Sequence, residues 1–448
     1  MDGGFERIDG YLQANLERYL QEVVRLCAQP SVSSTGQGVR ACADLVHQLL
    51  LEHGVEAEIY QTRGNPIVVG KAHGKSDRTL LFYNHYDVQP PEPLELWDTP
   101  PFEPIITNEA LFARGAKDDK GEFISRLAAL DAVRTAYGEL PCNVTFLVEG
   151  EEENGSPNIA QFVLEHKDLL MADGSIWEEG GVERGNLPSL LLGVRGVLYV
   201  EMTVEALKMD AHSGYAHVLP NAAWRMVHAI SLLKDRNERI LIPGFYDRVR
   251  TFTSAEMGAF DAWPDIEPAL SDTFGIDRFL RGKNGNDLRK AVFEPTCNIA
   301  GLGSGYQGPG TKTVIPAKAM AKVDFRLVPD QDPEDIYTRL RSYLDQNGLE
   351  DIQIQVLGKM WPFTTPMDDP FVQLTAALAQ EVYGKETLIG PITGGSSPIY
   401  AVGGPLDIPV VNPGIGYWDN RAHAPNEHIR IQDFLNGSRH IARILARF

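Results

Sequence analysis

Five short clusters in this chain carry side chains able to hold cations or move protons, and they lie far apart in sequence. The apolar run Leu80–Tyr83 leads into His85 and Asp87, two residues apart, which period-two strand geometry would put on one side of the chain. A ligating histidine usually donates its second ring N–H to a carboxylate, and Asp87 is spaced for that role. A lone pair of this kind more often marks an ordinary strand end. Asp118 and Asp119 stand in the glycine-bounded stretch Ala113–Gly121 just ahead of a helical pattern. One aspartate there would serve as a helix N-cap, which leaves the second free to bind a metal. Val148 opens onto Glu149, Glu151, Glu152 and Glu153. Charge runs are usually solvated, but this one follows a buried strand, and α/β sheets bind ligands beyond the carboxyl ends of their strands. Glu178 and Glu179, and His423 in the stretch Arg421–Glu427, add little singly. Together the set is rich in carboxylate and imidazole and has no thiolate, which suits one or two divalent ions, zinc or manganese first.

The elements that must position these residues follow from periodicity. Leu16–Cys27 and Gly38–Leu51 have helical spacing, and Val55–Tyr60, Pro66–Ala72 and Thr79–Tyr83 read as strands. Glu122–Ala136 is predicted helical, Asn143–Val148 a buried strand, and Ile159–Leu169 another helix. This alternation predicts an α/β domain with a largely parallel sheet. The middle of the chain differs: strand Val197–Ala206, helix Asn221–Lys234, strands Thr296–Leu302 and Ala319–Val328, helix Pro333–Gln346, strand Asp351–Gly358. That βαββαβ order is ferredoxin-like, with a long insertion at about Arg236–Phe293. A helix at Pro370–Tyr383, a strand at Ile408–Val411 and a helix at Ile431–Arg447 return to the α/β style. The predicted division is residues 1–196 and 363–448 for a split α/β catalytic domain, and 197–362 for an inserted ferredoxin-like α+β lid or dimerisation domain.

Composition narrows the function classes. The 448 residues are 43 % apolar and 23 % charged, ordinary for a globular protein, and at roughly 100–200 residues per domain they suit two to four domains. A formal charge of −20 argues against nucleic acid as a partner. No apolar run reaches the ~20 residues of a membrane span, and the first residues lack the basic-then-apolar pattern of a secretory signal. The four cysteines (Cys27, Cys42, Cys142, Cys297) form no CxxC pair, so buried free thiols and a reducing cytoplasm are expected.

The segments HYDVQP, the Trp97…Pro101-Phe102 loop, ARGAKDDKG, EGEEENGS and RAHAPNE resemble, in order and spacing, the two-metal peptidase and amidohydrolase family of carnosinase, aminoacylase, glutamate carboxypeptidase and succinyl-diaminopimelate desuccinylase. The resemblance spans nearly the whole chain and leans toward the carnosinase-like dipeptidase branch. It implies that Asp118 bridges two divalent ions, zinc first, with manganese or cobalt as alternatives. His85 and Glu179 would complete one ion's shell, and Glu153 and His423 the other's. Glu178 and Glu179 compete for the acidic position; the spacing to Gly193-Val194-Arg195-Gly196 favours Glu179. Glu152 matches the general base and Asp87 the carboxylate that orients His85, and a cis Asp118–Asp119 peptide is expected. In the middle region Asp210–Gly214 resembles a loop whose histidine, here His212, stabilises the tetrahedral intermediate, often across a dimer. Thr313 and Arg326 match positions that contact the substrate's carboxylate or oxyanion, and Gly395 and Ser396 belong to a glycine-rich loop that approaches the same carboxylate. Independently, an arginine inside an alternating strand is not needed for folding, and its fork suits a carboxylate.

The function expected is hydrolysis of the amide bond in dipeptides or short peptides with a free C-terminal carboxylate, through a metal-bridged water and Glu152 as base then acid. An N-acyl amino acid amidohydrolase or a carboxypeptidase would share the same site. A binding protein that has lost catalysis is the rival of another class, although no ligand position or base is vacant. A homodimer is a further expectation of the resemblance.

Overall fold

A computed structural model describes residues 3–448. Strands Thr79–His85 and Asn143–Glu149 are buried at every position but the first, the pattern of central strands covered on both faces. They lie in a six-stranded sheet. From one edge to the other its strands are Glu56–Tyr60, Ile67–Ala72, Asn143–Glu149, Thr79–His85, Gly174–Ile176 and Val410–Val411. The first two pairings are antiparallel and the other three parallel. Parallel pairing brings the carboxyl ends of Thr79–His85 and Asn143–Glu149 level, with His85 opposite Glu149. The acidic and histidine clusters therefore emerge from one edge of the sheet.

Helix Lys120–Tyr137 lies against the sheet and is buried along most of its length. It packs with Gly3–Ala14, Leu16–Cys27 and the terminal helix Ile431–Arg447 into the main core. The sequence pattern had not marked Gly3–Ala14 as a helix. Ile159–Leu169, expected as one helix, is broken at His166 into Ile159–Glu165 and Lys167–Leu170. His166 leaves helical geometry and sets its ring against Tyr60 and Phe162. A small sheet of Leu388–Gly390, Leu187–Leu191, Gly181–Glu183 and Gly416–Tyr417 was not anticipated either. Its strands are too short for a period to declare itself.

The middle of the chain forms a four-stranded antiparallel sheet in the order Thr296–Ser304, Lys318–Leu327, Gly196–Glu205, Gln353–Met360. Buried and half-buried residues alternate along Gly196–Glu205 and Lys318–Leu327. One face packs on helices Ala222–Ser231 and Pro333–Gln346 around a core that includes Leu198, Val200, Val323 and Leu340. The order along the chain is βαββαβ, so the fold is a mixed α/β sheet domain with a ferredoxin-like insertion.

The stretch between Ala222–Ser231 and Thr296–Ser304 folds into short helical turns. Phe260, Trp263 and Phe293 from it meet Leu388 and Ile392 of the α/β part in a separate small core. The insertion thus packs against the α/β part near strand Leu388–Gly390. Among the described residues no helix is long and apolar enough to cross a membrane, and the four cysteines are free and buried.

Candidate active site and metal centre

His85 ends its strand with both ring nitrogens engaged. Its backbone N–H donates to Asp119 Oδ2 at 3.0 Å, and Nδ1 lies 3.0 Å from the Asp87 carbonyl and 3.4 Å from Asp87 Oδ1. Nε2 faces Asp118 Oδ1 at 2.9 Å and Glu178 Oε2 at 3.7 Å. Asp87 is wholly buried and accepts the backbone N–H groups of Glu152 and Glu153 at 3.2 and 3.1 Å. One carboxylate therefore sits behind the histidine and also holds the glutamate loop. Gln89 fixes Glu153 through its backbone N–H at 3.2 Å and its amide at 2.8 Å.

The loop that carries Asp118 is folded around Glu427, which is fully buried. The Glu427 carboxylate accepts the N–H groups of Gly115, Lys117 and Asp118 at 2.9–3.0 Å and pairs with Arg114 at 2.8 Å. Gly115 has φ +83°, and a Cβ there would come within 2.9 Å of Val88, so the turn calls for glycine. The Asp118–Asp119 peptide is cis.

Asp118 points one oxygen to each histidine: Oδ1 to His85, and Oδ2 to His423 Nε2 at 2.8 Å. His423 also lies 3.1 Å from Glu153 Oε2. Two groups of potential ligands result, His85 with Asp119 and Glu178, and Asp118 with Glu153 and His423, each with donor atoms within 4.8 Å of one another. Here the structure corrects one expectation. Glu178, not Glu179, stands beside His85, because the backbone turns at Glu179 into the left-handed region (φ +66°) and carries its side chain to an exposed position on the cavity wall.

The electrostatics are those of crowded acids. Burial pushes the Glu152 and Glu178 carboxyls well above the usual range; His85 opposes the rise in both, and neighbouring carboxylates add to it. Burial raises Asp119 to about 6. Burial would lower the His85 pKa, but Glu178, Asp118 and Asp87 hold it well above the ordinary value. Hydrogen bonds to Asp118 and Glu153 raise His423 to about 10. Among the described residues Glu178 Oε2 and Asp119 Oδ1 are buried without a hydrogen-bond partner. Buried oxygens in this state need either protons or cations. With imidazole and carboxylate as the only donors, the set fits hard or borderline divalent ions.

Above these groups lies a cavity of about 310 Å³. Asp118, Glu152, Glu153, Glu178 and His423 line it together with Val194, Met360, Thr393, Gly395 and Ser396. Arg326 is not on the wall but donates from Nη1 to Ser396 Oγ at 2.7 Å. His212 and Thr313 are exposed and line no part of the cavity. They sit together where Ala211–His212 pairs with Val314–Ile315, and Ser213 donates to the Thr313 carbonyl.

Two positioning residues escaped sequence reasoning. Glu427 stands four residues after His423 in a stretch singled out only for its histidine. Arg126 is buried in helix Lys120–Tyr137 and donates to the Tyr83 carbonyl, to Asn84 Oδ1 at 2.6 Å and to the Trp177 carbonyl at 2.7 Å, joining the ends of two parallel strands. Its signal was a charge between Phe123 and Leu130 on an apolar helical stripe.

Residues 81–447 match the peptidase family M20/M25/M40. The Cys-Gly metallodipeptidase dug1 of Schizosaccharomyces pombe is 30 % identical over 392 residues, covering 83 % of this chain and 80 % of that one. The Beta-Ala-His dipeptidase of Homo sapiens is 26 % identical over 434 residues, 94 % of this chain and 84 % of that one. The crystal structure of the M20 family metallo-carboxypeptidase Sso-CP2 from Sulfolobus solfataricus superposes with a TM-score of 0.90 at 34 % identity, covering 95 % of this chain and 98 % of that one. With two candidate ligand groups, Asp118 facing a histidine of each, and a match that runs from Leu81 almost to the last residue, this chain belongs to the M20/M25/M40 family of metallopeptidases.

Proposed function

We propose that the protein hydrolyses the amide bond of dipeptides or short peptides that carry a free C-terminal carboxylate. The observation that carries this reading is Asp118 with one oxygen toward each histidine, in a cavity also lined by Ser396, to which Arg326 is hydrogen-bonded. His85 and Glu178 would hold one ion, Glu153 and His423 the other, and Asp118 both, with zinc the first choice for such donors. When bound, two divalent ions acidify a water and polarise the scissile carbonyl. Glu152, on the cavity wall, takes the proton from the attacking water and returns it to the leaving amine. Arg326, Ser396 and the Gly395 backbone receive the terminal carboxylate, which limits the substrate to the end of a chain.

The names of the relatives support dipeptides, and that of the Sulfolobus structure keeps a carboxypeptidase reading alive. Turnover of Xaa-Xaa dipeptides, longer peptides and N-acetyl amino acids, compared on the zinc-loaded protein, tests the proposal. Dipeptides turned over fastest support it. Preference for longer peptides turns it to carboxypeptidase, preference for N-acetyl amino acids to amidohydrolase, and no turnover of any with metal bound revives the binding-protein alternative.

We assign residues 197–362 as the inserted domain, supported by its separate core, and expect a homodimer. Trp224 and Val227 are exposed on helix Ala222–Ser231, and Ile299 and Leu302 on the edge strand Thr296–Ser304. A second copy would also give exposed His212 and Thr313 a cavity to serve. The free buried thiols support a reducing, cytoplasmic setting.

A further inference from the structure

Arg195 stands between strands Gly193–Val194 and Gly196–Glu205, where the chain passes from the α/β part into the four-stranded sheet. Its backbone N–H donates to the Gly395 carbonyl at 2.9 Å, and the Gly193 carbonyl accepts the Thr393 N–H at 2.8 Å, so two residues of the loop Thr393–Ser396 are pinned to this crossing. The side chain runs the other way and is buried, with 7 % of the residue exposed. Nη2 donates to the Glu294 carbonyl at 2.8 Å, Thr296 Oγ1 at 3.3 Å and the Arg326 carbonyl at 3.4 Å. Thr296 and Val197 flank Arg326 in strand register. Arg326 then reaches back to Ser396. The contacts close a ring through Arg195, the Gly395–Ser396 loop and Arg326.

One carboxylate stands beside the two guanidiniums of the ring: Asp324 Oδ1 lies 3.8 Å from Arg326 Nε. Arg114, also buried, is paired with Glu427, whereas the hydrogen-bond partners of Arg195 are neutral oxygens. Burial first, and the neighbouring Arg326 second, hold the Arg195 guanidinium down at about 10. A buried cation is tolerated where its donors are filled and an anion comes close.

We infer that Arg195 is a positioning residue for carboxylate recognition: it fixes the Gly395–Ser396 loop and the Arg326 backbone in one arrangement and so sets how strongly the protein prefers a terminal carboxylate, without touching the substrate. This rests on the reading of Arg326 and Ser396 given under Proposed function. Lysine keeps the charge but lacks the planar guanidinium that carries Nη2 to the three oxygens. The readout is the ratio of kcat/KM for a dipeptide to that for its C-terminal amide, measured with zinc content and thermal midpoint on the full-length zinc-loaded protein. Arg195→Lys should lower that ratio roughly tenfold through the KM of the free acid, while kcat and zinc content hold. Thr296→Val, which removes one acceptor from the exposed side, should move it the same way by a smaller factor, and decides the matter if Arg195→Lys does not fold. Arg326→Ala is the control. If its ratio stays at the wild-type value, the carboxylate reading itself fails. If Arg326→Ala abolishes the preference while Arg195→Lys, or Thr296→Val in its place, leaves it untouched, the inference about Arg195 is overturned.

Discussion

Two histidines of this protein are buried against carboxylates, His53 against two and His85 against three, and only one of them belongs to a site. His53 contacts Asp131 at 2.8 Å and Glu22 at 3.0 Å beneath the helices on the far side of the sheet. Arg18 pairs with both of those carboxylates, and the Tyr19 hydroxyl donates to Asp131 at 2.9 Å. Charge is balanced there. Around His85 the acids outnumber the cations, two buried oxygens lack partners, and the group faces a cavity. A histidine among carboxylates is therefore no sign of metal by itself. Unfilled buried oxygens beside an open volume are the discriminating feature.

Substitutions in the two clusters should diverge, and the largest effect lies at the cavity. Glu152→Gln removes the proton carrier but no proposed ligand, so turnover should fall by roughly 10²–10⁴ while metal content persists. Steady-state kinetics with elemental analysis would show it, and a loss of metal would move Glu152 into the ligand set. Next is Glu427→Gln, which weakens the anchor of the Asp118 loop and leaves Arg114 buried beside a neutral amide. Metal affinity should drop by about 10–100-fold, as for other supporting groups behind ligands, with a loss of stability as well; a zinc titration and denaturant unfolding measure the two. The smallest effect on chemistry belongs to His53→Gln, which should destabilise the fold and leave turnover per folded molecule unchanged.

That last variant has a pH signature. Burial alone would lower the His53 pKa, but Asp131 and Glu22 raise it to about 9 in the folded protein, against ~6.5 when unfolded. A raised folded value means that protonation favours the native state. The contribution is complete below about pH 6.5 and is lost as pH climbs through about 9. The stability gap between wild type and His53→Gln should thus narrow between pH 6 and 9.5. A gap that widens would show that His53 is held neutral.

Much of the scaffold was legible in the residues. Helices Pro333–Gln346 and Pro370–Tyr383 begin and end where the pattern put them, because each opens on a capping aspartate followed by proline. The apolar run into His85 and the one into Glu149 declared two central strands with chemistry at their ends. What stayed hidden depends on contacts between distant residues. Phe260, Trp263 and Phe293 find their partners in Leu388 and Ile392, about a hundred residues on, so no local period announces that core. Glu178 and Glu179 are the same residue type side by side, and only the backbone turn at φ +66° separates a buried carboxylate from an exposed one. Spacing cannot report a dihedral angle.

The central claim is that two ligand groups share Asp118, with Glu178 in the first. Metal stoichiometry tests it most directly, by elemental analysis after equilibration with zinc and removal of loose metal. Two ions per chain are predicted for the wild type and for Glu179→Gln, and one for Glu178→Gln. A wild type that retains fewer than two, or a Glu179→Gln protein that loses an ion while Glu178→Gln keeps both, would contradict the account.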